Sequence, residues 1–354
     1  MKSMTSRERI IRMIEHKEAD RVPILESPWP TTVDRWRKEG MGNEEPEDYF
    51  GLDKTAMVAV DNSPQYPEEV LEETDEYRIA RTSWGMIRKN WKQKASTPLV
   101  IDSTIKSPDD WRQAKEKMTY DENRIPWDTL KQNWQTWKEE GRFIQVLGWF
   151  GFDVTHAQIV GTEKVLLSLG EDPEWMMDMW QTEMDLNLWL LDRIWDEGYH
   201  FDALWWPDDM GYKLSQFFSV SMYRELLKPI HKQAIDWAHN KGFKARLHSC
   251  GDIRPFIPDL VELGLDSLNP LEVKAGVDPL AVKREFGDQL SLHGGFDALL
   301  WKDCDKMAET IQNNLPILKE NGGYVFATDH STPDEVSLDD FQRIVDLVKE
   351  LGQY

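Results

Sequence analysis

The sequence predicts an α/β fold, a (β/α)8 TIM barrel with helical additions at its N-terminus and an inserted β-hairpin. Short apolar runs that are typical of buried strands alternate with amphipathic helical segments along the 354 residues. About eight such strand-and-helix pairs follow one another, which is the order of elements in this barrel. Hydrophobic residues make up 40% of the chain without a break in composition, so we expect residues 1–354 to form a single domain.

An open, doubly wound parallel sheet is the alternative to the barrel. Such sheets often bind nucleotides through the sequence Gly-x-Gly-x-x-Gly or the Walker sequence at the start of a helix. Neither sequence follows a predicted strand in this chain. The barrel is therefore the favoured prediction.

The predicted elements begin with a helix, which the first strand-and-helix unit follows. Thr5 or Ser6 can cap a helix whose apolar face begins at Ile10. Residues 22–25 form an apolar run of the length of a buried strand, and residues 32–38 follow as a helix. This strand and this helix make the first repeating unit.

The same order continues to the end of the chain, interrupted once. Residues 76–91 contain two β-type runs around a Ser-Trp-Gly turn, which predicts the inserted antiparallel hairpin, and a Trp-rich helical region follows at 108–137. The eight predicted barrel strands are 22–25, 55–60, 143–150, 201–206, 245–248, 267–271, 290–293 and 323–328. The later helices are predicted at 155–169, 172–197, 221–240, 254–263, 278–286, 305–321 and 337–351.

The charge balance excludes several kinds of partner. Lys and Arg number 42 against 64 Asp and Glu, a net charge of −22, which repels nucleic acid and anionic membranes. The first 20 residues are charged and have no apolar run long enough for a signal peptide or a membrane span. Only two cysteines are present, which fits a reducing cytoplasm. We expect a cytoplasmic protein, and a homo-oligomer is compatible with the sequence.

Residues 245–252, Ala-Arg-Leu-His-Ser-Cys-Gly-Asp, carry the most informative pair. His248 and Cys250 lie where a predicted strand ends, and side chains two residues apart on a strand point to the same side. An imidazole and a thiol on one side are suitable ligands for a borderline cation. A half-buried histidine beside an inert core cysteine is the equally weighted alternative.

Polar side chains also follow most of the other predicted strands. Since the carboxyl ends of parallel strands form one rim in a barrel, we expect these side chains to converge there. The residues expected on this rim are Glu26, Asp61, Asp208, Asp209, His248, Glu272, His293 and His330. Aromatic residues near strand ends predict a pocket for a neutral or aromatic small molecule. The candidates for substrate binding are Trp29, Trp149, Phe152, either Trp205 or Trp206 with Trp206 preferred, Tyr212 and His293.

Four segments make the sequence resemble the uroporphyrinogen decarboxylase superfamily over essentially its whole length. They are Ile159-Val-Gly-Thr-Glu-Lys-Val-Leu-Leu, Leu247-His-Ser-Cys-Gly-Asp, Lys283-Arg-Glu-Phe-Gly-Asp and Thr328-Asp-His-Ser-Thr-Pro-Asp-Glu-Val-Ser. The superfamily includes that decarboxylase and cobalamin-linked methyltransferases with the same barrel. The Asp-His-Ser sequence in the last segment is most similar to an uncharacterised branch.

One motif distinguishes the decarboxylase branch of the superfamily from this chain. The decarboxylase carries Arg-Gln-Ala-Gly-Arg after its first strand, and these arginines pair with substrate carboxylates. This chain has Glu26-Ser-Pro-Trp-Pro-Thr-Thr in that place. We therefore do not expect decarboxylation of a porphyrinogen.

The methyltransferase branch implies a zinc site. Its His-x-Cys ligands match His248 and Cys250, and its third ligand, a cysteine in the last motif, is replaced by His330. Zinc accepts two imidazoles and one thiolate with an open position. Cys304 is a poor substitute because it leads into a helix. The resemblance thus implies a zinc-dependent methyltransferase, or demethylase, that moves a methyl group between a small molecule and a thiol or a corrinoid on a separate protein.

Two alternatives remain at the level of sequence. A cofactor-free decarboxylase of a carboxylic acid would use Asp61, Asp208 or His330 to deliver a proton, with Glu26 as a further acid in the same region. In that case His330 binds no metal. A non-catalytic barrel that only binds a ligand is the second alternative.

Overall fold

A computed structural model describes residues 3–92 and 96–354. The strands in chain order are β1 Thr55–Val58, β2 Glu69–Glu73, β3 Tyr77–Arg81, β4 Met86–Trp91, β5 Leu99–Ser103, β6 Phe143–Leu147, β7 Ala203–Pro207, β8 Gly211–Tyr212, β9 Ser215–Gln216, β10 Lys244–His248, β11 Ser267–Asn269, β12 Ser291–His293 and β13 Tyr324–Val325. The helices are α1 Ser6–Ile14, α2 Pro30–Trp36, α3 Pro46–Tyr49, α4 Pro108–Lys115, α5 Trp127–Glu139, α6 Phe152–Val154, α7 Thr162–Glu171, α8 Pro173–Asp196, α9 Val220–Met222, α10 Lys228–Asn240, α11 Ile257–Glu262, α12 Pro279–Phe286, α13 Cys304–Leu318 and α14 Leu338–Leu351.

A curled parallel sheet forms the centre of the molecule. Its seven strands run in the order β1-β6-β7-β10-β11-β12-β13, and every neighbouring pair is parallel. In the middle of the sheet, Leu247 of β10 lies opposite Trp206 of β7 and Leu268 of β11. Helices follow the strands as the sequence predicts, so the α/β fold is confirmed and is consistent with a TIM-like barrel.

The sheet is not closed by a continuous eighth strand, which corrects the prediction for residues 22–25. Ile24 forms a single parallel bridge with Phe326. The backbone N–H of Leu25 donates to Phe326, that of Phe326 donates to Pro23, and that of Asp53 donates to Ile24. Because Pro23 has no N–H, it cannot donate to a ladder. The barrel is therefore open here, with a few hydrogen bonds across the gap.

The inserted antiparallel element is larger than the predicted hairpin. β3 and β4 pair around Gly85, whose φ of +86° favours glycine, as expected for residues 76–91. β2 and β5 add one strand on each side, giving the order β2-β3-β4-β5. β2 is exposed at every position, so it lacks the alternation of apolar and polar residues by which a strand is recognised from sequence.

The apolar faces of the helices cover the outer side of the parallel sheet. Met176, Met179, Trp180 and Met184 of α8 are almost completely buried, so these side chains are part of the core. No helix among the described residues is both long and apolar enough to cross a membrane.

Buried ion pairs hold residues 22–25, which span the gap in the sheet, in place. Both oxygens of the Asp53 carboxylate are used, since Oδ1 accepts from Arg9 at 2.5 Å and Oδ2 accepts from Arg21 at 2.8 Å. Oδ2 also accepts from the backbone N–H of Ile24 at 2.9 Å. The Asp53 side chain has no exposed surface. This carboxylate therefore joins α1 to the segment that spans the gap in the sheet.

Replacing Asp53 by alanine should lower the free energy of unfolding by about 3 kcal/mol or more, because Arg9 and Arg21 lose a buried counter-ion. Urea unfolding followed by circular dichroism measures this loss. The control is Asp236→Ala, which removes the exposed pair of Lys232 and Asp236 on α10 and should cost less than about 1 kcal/mol. Equal losses in the two variants would contradict the role assigned to Asp53.

Candidate functional site

A cavity of about 540 Å³ lies at the carboxyl ends of the parallel strands. The neighbouring strands end close together there, so residues far apart in sequence share its wall. The predicted site residues on its wall are Glu26, Trp29, His248, Cys250, His293 and His330.

Three ligand atoms converge on one side of this cavity. Cys250 Sγ lies 3.3 Å from His248 Nε2, and His248 Nε2 lies 3.7 Å from Asp209 Oδ1. The ligand atoms of all three residues lie within 4.8 Å of one another. The structure thus brings the predicted pair His248 and Cys250 together and adds the carboxylate of Asp209, which is predicted at a strand end but not as a metal ligand.

Hydrogen bonds determine which atom His248 presents to this group. Asn269 Nδ2 donates to the backbone carbonyl of His293 at 3.2 Å, so its Oδ1 faces His248. His248 Nδ1 lies 2.5 Å from that oxygen and must donate to it. The proton is therefore on Nδ1, and the lone pair of Nε2 faces Asp209 and Cys250. A ligating histidine is usually oriented in this way through its second nitrogen.

The backbone around Cys250 is held as firmly. The Cys250 N–H donates to Asp209 Oδ1 at 2.7 Å, and the Gly251 N–H donates to Glu272 Oε2 at 2.6 Å. Gly251 has a φ of +82°, and a Cβ there would come within 2.1 Å of a backbone atom of Gly211. Only glycine allows this turn to pack so closely.

The pKa values of the Cys250 thiol and the Asp209 carboxyl are both raised. Burial, reinforced by the charges of Asp209 and Glu272, raises the pKa of the Cys250 thiol well above its ordinary value. Burial also raises the pKa of the Asp209 carboxyl. A cation would favour the charged form of both groups. One sulfur, one imidazole nitrogen and one carboxylate oxygen are ligands that zinc accepts, so the residues fit this metal.

His330 is not a member of the group of three. Its ring centroid lies 5.9 Å from that of Trp29, and burial together with the charge of Lys274 lowers the pKa of its imidazole. The order of the strands gives the reason. β7, which precedes Asp209, is the direct neighbour of β10, whereas β11 and β12 separate β10 from β13. Asp209 therefore stands where the sequence analysis expected His330.

Asp208 lies outside the cavity, which corrects its predicted place on the rim. Its Oδ2 lies 2.8 Å from His231 Nε2, and both side chains are completely buried. Its Oδ1 accepts from the backbone N–H of Asp153 at 2.7 Å, and Tyr223 OH lies 3.1 Å from His231 Nδ1. Asp208 thus faces α10, whereas Asp209 lies beside His248 and Cys250. The sequence places both acids of the Asp-Asp pair at a strand end, but it suggests Asp208 rather than Asp209 as the site residue.

Asp61 closes a turn and also lies away from the cavity. Its Oδ1 accepts from the backbone N–H of Ser63 at 3.0 Å, and its Oδ2 accepts from Gln65 Nε2 at 2.7 Å. Its predicted role as a proton donor in this cavity has no support in that position.

Glu26 lies on the cavity wall, as predicted. It accepts from the backbone N–H of Thr328 at 2.6 Å, and its Oε2 lies 3.2 Å from the hydroxyl of Thr332. Removal from water outweighs these hydrogen bonds and raises the pKa of the Glu26 carboxyl to about 7.

Only some of the residues predicted to bind the substrate lie on the cavity wall. Trp29 and His293 are on the cavity wall, and Trp205 is there as well. Trp206 follows Trp205 on β7, so its side chain points to the opposite face of the strand. It is completely buried there, and its ring lies 5.9 Å from that of Phe150. The remaining three predicted substrate-binding residues, which are not on the wall, are Trp149, Phe152 and Tyr212.

The sequence analysis missed two polar residues deeper in the cavity, Arg246 and Gln145. The signal for Arg246 was a charged residue inside an otherwise buried strand, two positions before His248. Gln145 lies in the same way in the fully buried strand β6.

Comparisons with known proteins agree on the fold. The sequence model of the uroporphyrinogen decarboxylase (URO-D) family matches residues 94–351. A solved structure of a methyltransferase from Methanosarcina mazei has the same fold, with a TM-score of 0.64 at 14% sequence identity, and the likeness covers 98% of this chain and 99% of that chain. No curated protein sequence matches the chain.

The raised pKa of Glu26 predicts a dependence of stability on pH. Because this pKa lies above its ordinary value of 4.5, the folded protein binds the proton more tightly than the unfolded chain does. The stability from Glu26 is complete below about pH 4.5 and is lost as the pH rises to about 7. Relative to Glu26→Gln, the wild-type protein should lose roughly 1–3 kcal/mol of unfolding free energy across this interval.

Urea unfolding at the two ends of the pH interval measures this difference. Glu163→Gln, at an exposed position of α7, is the matched control and should follow the wild-type profile. Parallel profiles for wild type and Glu26→Gln would contradict the burial of this carboxyl.

Proposed function

The chain belongs to the uroporphyrinogen decarboxylase family, and from this premise we propose that it is a zinc-dependent methyltransferase. It moves a methyl group between a small molecule and a thiol or a corrinoid that a separate protein carries. Asp209, His248 and Cys250 hold the zinc ion. The enzyme acts in the cytoplasm, where free cysteines such as Cys250 and Cys304 stay reduced.

The convergence of Asp209, His248 and Cys250 at the cavity wall carries the proposal. A protein rarely places a thiol, an imidazole lone pair and a carboxylate within 4.8 Å of one another beside a cavity without a ligand for them. When bound, zinc lowers the pKa of a group in its open position and makes that group a nucleophile at neutral pH. Three protein ligands leave such a position open.

The other residues of the cavity orient the reactants. Asn269 holds the imidazole of His248 in one tautomer. The ring of Trp205 lies 5.8 Å from that of His248 and covers one side of the site with apolar surface, which excludes water from a transferred methyl group. Glu26, with a pKa of about 7, can accept or release a proton at neutral pH.

Methyl transfer is favoured over decarboxylation for two reasons. The methyltransferase from Methanosarcina mazei shares the fold over almost the whole of both chains. The segment after the first predicted strand, residues 26–32, contains Glu26 and no arginine, so it offers no counter-ion to a substrate with many carboxylates.

Metal content tests the ligand set directly. The wild-type protein should contain about one equivalent of zinc, and Cys250→Ser and Asp209→Asn should each weaken binding about tenfold or more, because each loses a ligand atom. His330→Ala should keep the metal, and Cys304→Ser is the control because Cys304 lies at the start of α13. Mass spectrometry of the purified proteins measures the zinc. A full equivalent in Cys250→Ser would overturn the site.

Methyl transfer tests the activity. With methylcobalamin as methyl donor and a small thiol as acceptor, the visible spectrum should report loss of the methyl group with wild type. The rate should fall in parallel with zinc content in Cys250→Ser and stay unchanged in Cys304→Ser. Turnover that is independent of zinc content would count against the proposal, and zinc binding without any methyl transfer would favour a ligand-binding barrel.

Uroporphyrinogen should not be a substrate. Arg246 is the one arginine or lysine among the described residues that line the cavity, so the cavity offers at most one counter-ion to a molecule with many carboxylates. Incubation with uroporphyrinogen should give no coproporphyrinogen by chromatography, with an active uroporphyrinogen decarboxylase as the positive control. Decarboxylation at an enzymatic rate would restore the alternative.

A further inference from the structure

The floor of the cavity contains a positive charge without a counter-ion. Arg246 is in the middle of β10 and only 2% of its surface is exposed, yet it lines the cavity. Within the described ranges 3–92 and 96–354, no carboxylate lies within ion-pair distance of its guanidinium. A guanidinium keeps its proton in proteins, so the side chain is charged at neutral pH.

The neighbours of Arg246 leave several of its donors unused. Nη1 donates to Gln145 Oε1 at 2.7 Å, and Nη2 donates to His293 Nδ1 at 3.2 Å. A guanidinium has five N–H groups, and Nε–H has no acceptor in the described structure. These contacts account for fewer than half of the donors.

His293 does not provide the missing charge. Its Nδ1 accepts from Arg246, so its proton is on Nε2 and the ring is neutral. Burial, together with the charge of Arg246, lowers the pKa of His293 to about 3. The ring of Phe143 lies 5.5 Å from the guanidinium carbon, and a cation–π contact of this kind is weaker than a buried ion pair.

Two other buried arginines show how this protein normally compensates such a charge. Arg9 is paired with Asp20 and Asp53. Arg124 donates to three backbone carbonyls, those of Asp61, Ser63 and Lys117. Among the described residues Arg246 has neither a carboxylate nor a backbone carbonyl partner, and it faces a cavity. A buried charge that is left unpaired costs several kcal/mol, which a ligand with a negative charge would offset.

We propose that Arg246 and Gln145 bind a carboxylate group of the substrate. The inference rests on the proposed function, since it names the substrate class for the same cavity. Unused N–H groups of Arg246 donate to the carboxylate oxygens, and the side-chain amide of Gln145 lies beside them. The substrate is therefore a small monocarboxylic acid, which replaces the expected neutral ligand.

The positions of the residues also limit the length of this acid. Arg246 and His248 are two residues apart on β10, so their side chains point to the same side about 6–7 Å apart along the strand. A carboxylate at Arg246 places the other end of a small molecule near Asp209, His248 and Cys250. Leu52, Met57 and Trp205 line the cavity with apolar surface, which suits an apolar middle part.

Pairs of acids and amides test the proposal without knowledge of the true substrate. Titration calorimetry with butyrate, benzoate and phenylacetate, each beside its primary amide, compares a charged with a neutral ligand of the same shape. At least one acid should bind wild type about tenfold more tightly than its amide. Arg246→Met should abolish this preference, Arg246→Lys should retain part of it, and Gln145→Leu should reduce it less than Arg246→Met does.

Zinc measurements keep this test separate from the proposed function. Arg246→Met should contain as much zinc as wild type, while Cys250→Ser should lose zinc and keep the preference for the acid. If Arg246→Met does not fold, Arg246→Lys and Gln145→Leu decide the question, because a preference that neither variant weakens contradicts the proposal. Equal binding of acids and amides by wild type, or no binding of any acid, would also overturn it.

Discussion

The cavity depends on the buried carboxylate of Asp53, which holds residues 22–25 across the gap in the parallel sheet. These residues form a single β-bridge, at Ile24, and Pro23 has no backbone N–H to donate. Asp53 joins them to Arg9 of α1 and to Arg21. The same segment continues into Glu26 and Trp29, which form one wall of the cavity. Asp53 itself lines the cavity, so its ion pairs with Arg9 and Arg21 help to determine the shape of the site.

Three groups with different chemical properties lie in different parts of the cavity. Asp209, His248 and Cys250 form a group of ligands near one strand end, Arg246 provides a buried positive charge on the floor, and Glu26 provides an acid with a pKa of about 7 on the other wall. Each group is held by hydrogen bonds to residues that are not themselves reactive, such as Asn269 and Thr328. This arrangement suits a reaction in which one end of a substrate is fixed and the other end reacts.

Neighbouring residues on a strand or just after it serve different purposes in this protein. Asp208 and Asp209 face opposite sides, and so do Trp205 and Trp206. One member of each pair completes the packing between β7 and α10, while the other lies at the site. The alternation of side chains along a strand is the physical cause, and it makes the choice within each pair depend on the register of the sheet.

The sequence by itself determined the α/β fold, the antiparallel insertion and the pair His248 and Cys250, because these depend on local spacing and on side chains two residues apart. The placement of Glu26, Trp29 and His293 at the cavity followed from the rule that strand ends converge. Only the tertiary structure decided that Asp209 joins the pair, since this depends on which strands are neighbours. It also decided that the barrel is open and that Arg246 has no counter-ion within the part of the chain that the structure describes, because the partners of a buried charge come from distant parts of the chain.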